Sequence, residues 1–331
     1  MKVARIQTGK GIDTLAITDE AIPQPGAHQA LVRLHAATLN FRDHIFANNL
    51  LPGIPKEPDL IPLSCGAGVV EAVGAGVSRV KAGDRVVPIF AQGWISGTTP
   101  TTTHLGGQID GVARQYALFD AEGLSPLPDE MSFLEGATLP CAALTSWSAL
   151  TGFRPTQPGE WVLAHGTGGV SIAALQLAKA MGAQVIVTSS SDAKLARARW
   201  LGADVTINYR TTPDWASAIR KAIGGNKVAN VIDTVGAVQF EANASLMVEG
   251  GQLSAIGMLG SDFSWSLANP SVSLAPIGVG NRDQHEAMTA FMVRHGVRPV
   301  VDVVFDLDRL ADAYRCLESH AFFGKVGVNL L

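Results

Sequence analysis

The spacing of apolar and polar positions divides the chain into two rhythms. In the first third, short valine-rich runs such as ALVRLHAA (30–37), GVVEAVG (68–74) and DRVVPIF (84–90) are separated by glycine, proline or aspartate. Runs of this length bounded by turn formers predict the strands of a curved antiparallel sheet, a small barrel-like domain. The glycines of GAGVSRVKAGDRV (74–86) sit where tight turns would join such strands. From about Pro140 the pattern changes to strand, helix, strand. WVLAH (161–165) reads as a strand, and a glycine cluster then leads into an alanine- and leucine-rich helix that Gly182 can end. QVIVT (184–188) is the next strand, AKLARARWLG (193–202) a helix and DVTINY (204–209) a further strand. DWASAIRKAIG (214–224), VANVIDTVG (228–236) and GQLSAIG (251–257) continue the alternation, which predicts a parallel sheet covered by helices on both faces.

The last third adds helices at HEAMTAFMVRHG (285–296) and DRLADAYRCLES (308–319) and a strand at GKVGVNLL (324–331). That last strand can return to the first domain, which makes the domain discontinuous in sequence.

The chain has 331 residues, more than one core usually serves, so two domains are expected. With 25 Lys and Arg against 29 Asp and Glu the net charge is −4, and no basic block suits a phosphate backbone, so nucleic acid is not an expected partner. Three scattered cysteines, Cys65, Cys141 and Cys316, argue against a disulfide framework and for a reducing compartment. The N-terminal stretch MKVARIQTGKGIDTLAI lacks the apolar run of a leader, and no 18-residue apolar segment follows, so the expectation is a cytoplasmic protein with no membrane partner. Only the threonine-rich run at 98–103 is compositionally biased.

The glycine cluster carries the first chemical signal. Gly166-Thr167-Gly168-Gly169-Val170-Ser171 stands between a strand and a helix, where backbone donors and the helix dipole would meet a pyrophosphate. Gly166 suits the tight turn, Gly168 the close approach of phosphate, and small Ser171 the helix–sheet contact where a third glycine usually sits. A purely structural glycine turn is the alternative. The second strand ends in Ser189-Ser190-Ser191, where an NAD site would place an acid on the ribose 2′-hydroxyl. Serine hydroxyls can donate to a 2′-phosphate and Lys194 or Arg197 can supply charge, so NADP(H) is the expected cofactor, with Ser189, Ser190 and Lys194 as its ligands. Each of those serines can instead serve only the turn.

Beyond these features the chain resembles the medium-chain dehydrogenase/reductases, and among them the zinc-free, quinone-oxidoreductase-like members. The resemblance covers nearly the whole chain and rests on LNFRD (39–43), GAGVVEAVG (66–74), KAGDRVV (81–87), LGGQIDGVARQYA (105–117), LPCAALTSWSAL (139–150), the GTGGVS turn, LGAD (201–204), INY (207–209) and FGKV (323–326). It implies an α/β protein. A Rossmann-type parallel sheet domain over 129–280 would be inserted into a barrel-like, mainly β catalytic domain of the GroES-like kind, built from 1–128 and 281–331. It also implies a small-molecule substrate and a homodimer or homotetramer. By the same resemblance Asn40 orients nicotinamide or a substrate oxygen, Thr145 lies beside the nicotinamide, and Asp43 holds the active-site loop. Tyr209 joins Lys194 around the adenosine phosphate, and Gly257, Gly324 and Lys325 complete the cofactor set, Lys325 either on a phosphate or solvated.

Metal divides the possible activities. In the zinc-dependent relatives that the chain resembles, a cysteine stands three positions before the aspartate and a histidine–glutamate pair follows; here those positions hold Asn40 and Ser64-Cys65. Cys141 matches a third ligand, but one soft ligand falls short of the three that catalytic zinc needs, so no metal is expected. Cys65 and Cys141 are expected to be packed thiols, with an irregular zinc site as the alternative. Three cysteines cannot make the four-cysteine structural zinc lobe of many relatives. Hydride delivered to an enone or quinone leaves charge that water or a weak acid can quench, whereas alcohol oxidation must also stabilise an alkoxide. The expectation is an NADPH-dependent reductase of quinones or α,β-unsaturated carbonyls. NADP(H)-linked alcohol or carbonyl redox and a noncatalytic NADP-binding role are the alternatives.

Overall fold

The computed structural model describes residues 1–50, 60–98, 103–257 and 272–331. Residues 99–102 of the threonine-rich run lie outside the described residues. The chain forms two compact units, Met1–Leu144 with Val279–Leu331, and Thr145–Gly278.

The first unit opens with the antiparallel hairpin β1 (Lys2–Arg5) and β2 (Ala16–Asp19). Next come β3 (Gln29–Thr38), α1 (Phe41–Asn48), β4 (Cys65–Val73), β5 (Arg85–Pro88), β6 (Tyr116–Asp120) and β7 (Leu124–Pro126). The short α2 (Phe133–Gly136) precedes a π-helical turn, Leu139–Ala143, a wide-turn irregularity of a kind that recurs at functional sites. Strands β3 and β4 approach closely because Gly68 faces the partner backbone: a Cβ there would lie 2.1 Å from the Arg33 carbonyl oxygen.

The second unit begins with α3 (Leu144–Thr151), whose first residue belongs to the first unit. It continues as β8 (Trp161–His165), α4 (Gly169–Ala180), β9 (Gln184–Ser189), α5 (Asp192–Trp200), β10 (Val205–Asn208), α6 (Trp215–Ala222), β11 (Val228–Asp233), α7 (Phe240–Leu246), β12 (Met247–Ala255) and β13 (Val272–Pro276). All pairings are parallel, in the order β10-β9-β8-β11-β12-β13. This is the doubly wound order of a Rossmann sheet, with the change of winding direction between β8 and β11. Its core joins Leu163, Ile186, Val231 and Leu253 from four strands to Ile219 of α6 and Phe240 of α7.

The chain then re-enters the first unit through α8 (Arg282–Arg294), β14 (Val301–Asp306), α9 (Leu310–Glu318) and β15 (Lys325–Asn329). β15 lies between β14 and β3, parallel to the first and antiparallel to the second, so both ends of the chain share one sheet, β14-β15-β3-β4-β5-β7 with β6 also on β3. Its core packs Leu34, Leu39, Ile61 and Leu63 with Leu310, Tyr314 and Val328 from the returning segment.

Candidate active site

Sheet register assembles a polar cluster in the first unit. Thr38, the last residue of β3, faces Cys65 on one side and Gly327 on the other. The Leu39 N–H donates to the Val326 carbonyl at 3.0 Å, so Asn40 leaves the sheet beside the starts of β4 and β15. The Thr38 hydroxyl donates to the Ala137 carbonyl at 2.7 Å, tying the same strand end to the segment before the π-helical turn that carries Cys141.

Within the cluster the Asn40 amide is engaged at both its nitrogen and its oxygen, and Asn40 forms a capping box with Asp43 at the start of α1. Its Nδ2 donates to Ser64 Oγ at 3.1 Å and to Cys65 Sγ at 3.0 Å, and its Oδ1 accepts from Lys325 Nζ at 2.5 Å. Lys325 also donates to the Leu39 carbonyl and is only 4 % exposed. The solvated alternative for this lysine is therefore corrected: the register of β15 against β3 draws its ammonium inward. Burial lowers its pKa, while Cys65, Cys141 and Asp43 favour its charge.

The two thiols are hydrogen-bonded partners. Burial opposes a Cys65 thiolate, but the Cys141 thiol donating to it, the Lys325 charge and the Asn40 amide bring its pKa down to about 7. Cys141 is pushed up, first as the donor of that bond and then by burial. Asp43 Oδ2 accepts from the Asn40 N–H at 2.7 Å, which holds the first turn of α1. Its Oδ1 is buried without a hydrogen-bond partner, and burial raises the carboxyl pKa to about 6 against the opposing charges of Arg42 and Lys325. Arg42 donates to the Leu105 carbonyl at 2.9 Å and lies over the Phe46 and Phe90 rings at 4.5 and 4.8 Å, bracing the loop around Leu105. Gly324 has φ +79°, and a Cβ there would lie 2.6 Å from the Val300 carbonyl oxygen, so the turn before Lys325 requires glycine.

These donors do not suit zinc. A zinc site needs three or four convergent N, S or O ligands free of competing cations, and here the Lys325 ammonium occupies the Asn40 oxygen beside both thiols. Among the described residues no group of three His, Cys, Asp or Glu side chains is placed to hold a metal ion.

The second unit gathers the remaining residues at the carboxyl ends of its strands. Gly166 follows β8 with φ +79°, and Gly169 and Val170 form the first turn of α4, whose leading N–H groups have no intrahelical acceptors. A Cβ on Gly168 would meet nothing within 4 Å, so open space lies over the turn where a pyrophosphate would rest. Thr167 is buried beside it. Ser189 ends β9 and is buried, its Oγ accepting from the Ser191 N–H at 3.3 Å; Ser190 is half-buried. Ser191 caps α5 by accepting the Lys194 N–H at 3.4 Å, and Tyr209 stands exposed after β10. Gly257 follows β12, where a Cβ would lie 2.2 Å from the Thr234 carbonyl carbon, so this glycine lets two strand ends touch. Thr145, the second residue of α3, is buried in this same unit.

Sequence reasoning missed a buried network beneath the turn. The His165 carbonyl accepts from Ser171 Oγ at 2.5 Å and from Thr234 Oγ1 at 2.8 Å, clamping the turn to α4 and β11. The His165 ring meets Thr188 Oγ1 at 3.0 Å and Asn243 Oδ1 at 2.7 Å. Asn243 Nδ2 donates to Asp233 Oδ2 at 3.3 Å, and Asp233 Oδ1 accepts the N–H groups of Val235 and Gly236. The sequence signal was available: Asp233 closes an apolar strand, a position where a polar group must find partners.

A doubly wound sheet with a glycine turn at its switch point, in a chain whose other unit is a sheet formed by both chain ends, defines a two-domain oxidoreductase architecture. Residues 26–129 match the family "Alcohol dehydrogenase GroES-like domain" and residues 169–294 match "Zinc-binding dehydrogenase". The chain is 40% identical, over 97% of its length and 96% of the relative's, to a zinc-type alcohol dehydrogenase-like protein of Schizosaccharomyces pombe. Among solved structures, an NAD-dependent alcohol dehydrogenase is 32% identical with a TM-score of 0.88, covering 99% of both chains. The Escherichia coli quinone oxidoreductase, solved with NADPH, is 26% identical with a TM-score of 0.83, covering 99% of this chain and 100% of its own. The chain belongs to the medium-chain dehydrogenase/reductase superfamily and is an oxidoreductase of that family.

Proposed function

We propose that the chain is an NADPH-dependent reductase of quinones or α,β-unsaturated carbonyl compounds that works without catalytic zinc. The observation that carries this reading is the Lys325 ammonium, hydrogen-bonded to Asn40 among the thiols where a catalytic metal would need its ligands. A bound nicotinamide supplies the hydride. Gly166, Gly168, Gly169 and Val170 hold the pyrophosphate against the α4 N-terminus, with Thr167 beside them, and Gly257 keeps the adjoining strand end low. Ser189, Ser190, Lys194 and Tyr209 receive the 2′-phosphate, supported by the absence of any carboxylate in Ser189-Ser190-Ser191. The NADPH in the Escherichia coli neighbour agrees with this preference. Thr145 borders the nicotinamide. Asn40 meets it or the substrate through its oxygen, since both amide hydrogens are taken. The enolate, or the quinolate anion left when a quinone accepts hydride, takes its proton from water. The assembly is a homodimer or homotetramer of this chain.

A second reading, NADP(H)-linked alcohol or carbonyl redox, is favoured by the zinc-type and NAD-dependent alcohol dehydrogenase relatives. One experiment separates the two. Chelator-treated protein of verified metal content is assayed with NADPH against quinones and conjugated enones, and with NADP+ against secondary alcohols. Reduction without stoichiometric zinc is expected; turnover that returns only with added zinc would overturn the proposal.

A further inference from the structure

Three elements of the first unit bring two sulfurs together. Cys65 opens β4 opposite Thr38, the end of β3, and Cys141 stands on the π-helical turn that packs against β4. The bond from the Thr38 hydroxyl to the Ala137 carbonyl ties that turn to the same strand end, so both backbones are placed before the side chains meet. Cys65 is fully buried and accepts from Asn40 Nδ2 at 3.0 Å, with Ser64 Oγ at 3.7 Å. Cys141 is half-buried and donates its hydrogen to Cys65. One proton therefore serves two sulfurs, and the Lys325 ammonium balances the remaining negative charge. A thiolate in contact with a second thiol is open to peroxides, because the first sulfur oxidised finds its displacing partner already beside it.

We propose that Cys65 and Cys141 form an oxidation site that closes to a reversible disulfide in the presence of hydrogen peroxide and so lowers turnover at the Asn40 cluster. Cys141, the sulfur that is not fully covered, meets the oxidant and passes its hydrogen to Cys65 as it attacks. Its sulfur takes one OH of the peroxide, the O–O bond breaks, and the departing hydroxide takes a proton from solvent. The Cys65 sulfur then displaces hydroxide from the Cys141 sulfenic acid, and its own proton leaves with that hydroxide as water. Two electrons pass from the sulfurs to the O–O bond, and the products are one disulfide and two waters. Hydrogen-bonded sulfurs reach the ~2.05 Å of a disulfide by moving along the line that already joins them. A neutral sulfur accepts hydrogen bonds only weakly, so the Asn40 N–H loses its thiolate acceptor, and Lys325 loses a negative neighbour that favours its charge. The amide that the functional reading places against nicotinamide or substrate is thereby released from its setting.

The effect on turnover rests on the reductase reading; the disulfide does not, and the test keeps the two apart. Reduced full-length protein, freed of reductant, is treated with a small excess of hydrogen peroxide and desalted before each measurement. Free thiols counted after denaturation fall from three to one and return to three with dithiothreitol. Peptide mass spectrometry without reductant finds Cys65 joined to Cys141, with Cys316 still a thiol. Quinone reduction by NADPH falls about tenfold or more on oxidation and returns to within about twofold once dithiothreitol has acted and been removed. Two variants separate the pair from general damage. In Cys65→Ser the Cys141 sulfur stops at the sulfenic acid, which dimedone labels; in Cys141→Ser the buried Cys65 stays reduced, and peroxide leaves that variant's own turnover unchanged. Should Cys65→Ser fail to fold, Cys141→Ser carries the test. A thiol count that stays at three, a cross-link through Cys316, full turnover in the disulfide form, or equal loss of turnover in Cys141→Ser would each overturn the proposal. If the reduced wild type acts on neither quinones nor enones, the functional reading fails, while the thiol count and the cross-linked peptide still decide the disulfide.

Discussion

Replacing Asn243 with leucine tests whether the buried network carries the cofactor turn. Because Asn243 Nδ2 donates to the Asp233 carboxyl, its Oδ1 must face His165, which makes His165 Nε2 the protonated ring nitrogen and leaves Nδ1 to accept from the Thr188 hydroxyl. Burial lowers the His165 pKa, in keeping with this neutral ring. Leucine keeps the branched heavy-atom skeleton of asparagine with larger branch groups, so no cavity opens, but a buried N–H of His165 and one oxygen of Asp233 lose their partner. Each orphaned group costs ~1–3 kcal/mol, and the long 3.3 Å bond to Asp233 belongs at the low end, so a loss of about 3 kcal/mol is expected. That is a large share of the ~5–15 kcal/mol that holds a typical domain folded. The Trp215 ring meets His165 edge-on at 5.2 Å, so Trp215 adds a signal from this network to the fluorescence of the six tryptophans that follows urea unfolding. The midpoint should fall clearly, and NADPH affinity should fall with it, since the His165 carbonyl anchors Ser171 and Thr234 around the turn. A variant with wild-type midpoint and wild-type NADPH affinity would refute the reasoning.

Three further substitutions probe the remaining groups. Ser189→Asp places a carboxylate at the end of β9, and NADPH affinity should drop at least tenfold more than NADH affinity in parallel titrations; equal losses would remove Ser189 from the phosphate site. Gly257→Ala drives a Cβ to within 2.2 Å of the Thr234 carbonyl carbon and 2.4 Å of the Val235 nitrogen, an overlap that backbone shifts relieve at about 2 kcal/mol or more; an unchanged urea midpoint would show that the strand ends yield freely. Asp43→Asn addresses pH. The native carboxyl titrates near about 6 against a reference of 3.8, so the folded state holds this proton more tightly. The stability it contributes is present below the reference value and is lost as pH rises through 6. The variant should therefore gain on the wild type by up to about 3 kcal/mol between pH 4 and pH 7.5, and a gap that does not change with pH would count against the burial assigned to Asp43.

Five of the six strands of the second unit, β8 to β12, were legible because each contains a short apolar run closed by its own turn residues, whereas β13 (Val272–Pro276) was not read. WVLAH is β8 to the residue, and QVIVT lacks only the final Ser189 of β9. The first unit was less so. VDVVFD, which forms β14, leaves Val303 and Val304 exposed and takes its regularity from pairing with β15, so no buried face marks it in the sequence. The β1–β2 hairpin, α1 and the π-helical turn were also unread. Each is short, and such elements gain their stability from the sheet they meet more than from local propensity.

The same contrast separates the two halves of the site. A glycine turn is contiguous: strand, turn and helix follow one another from Trp161 to Ala180, so the expectation of a dinucleotide turn could be drawn from Gly166 and Gly168 together with the strand before them and the helix after. The Asn40 cluster is assembled by register, with Lys325 and Leu39 286 positions apart in the chain. Its residue types were visible in sequence, but hydrogen-bond direction was not, because direction depends on which group at the meeting point is donor-only. The ammonium polarises the amide, the amide and ammonium favour a Cys65 thiolate, and Cys141 satisfies that sulfur with its own hydrogen. The charge of a Cys65 thiolate is met here by one buried lysine, and the acceptor-only sulfur in turn holds the Asn40 amide with its N–H toward it.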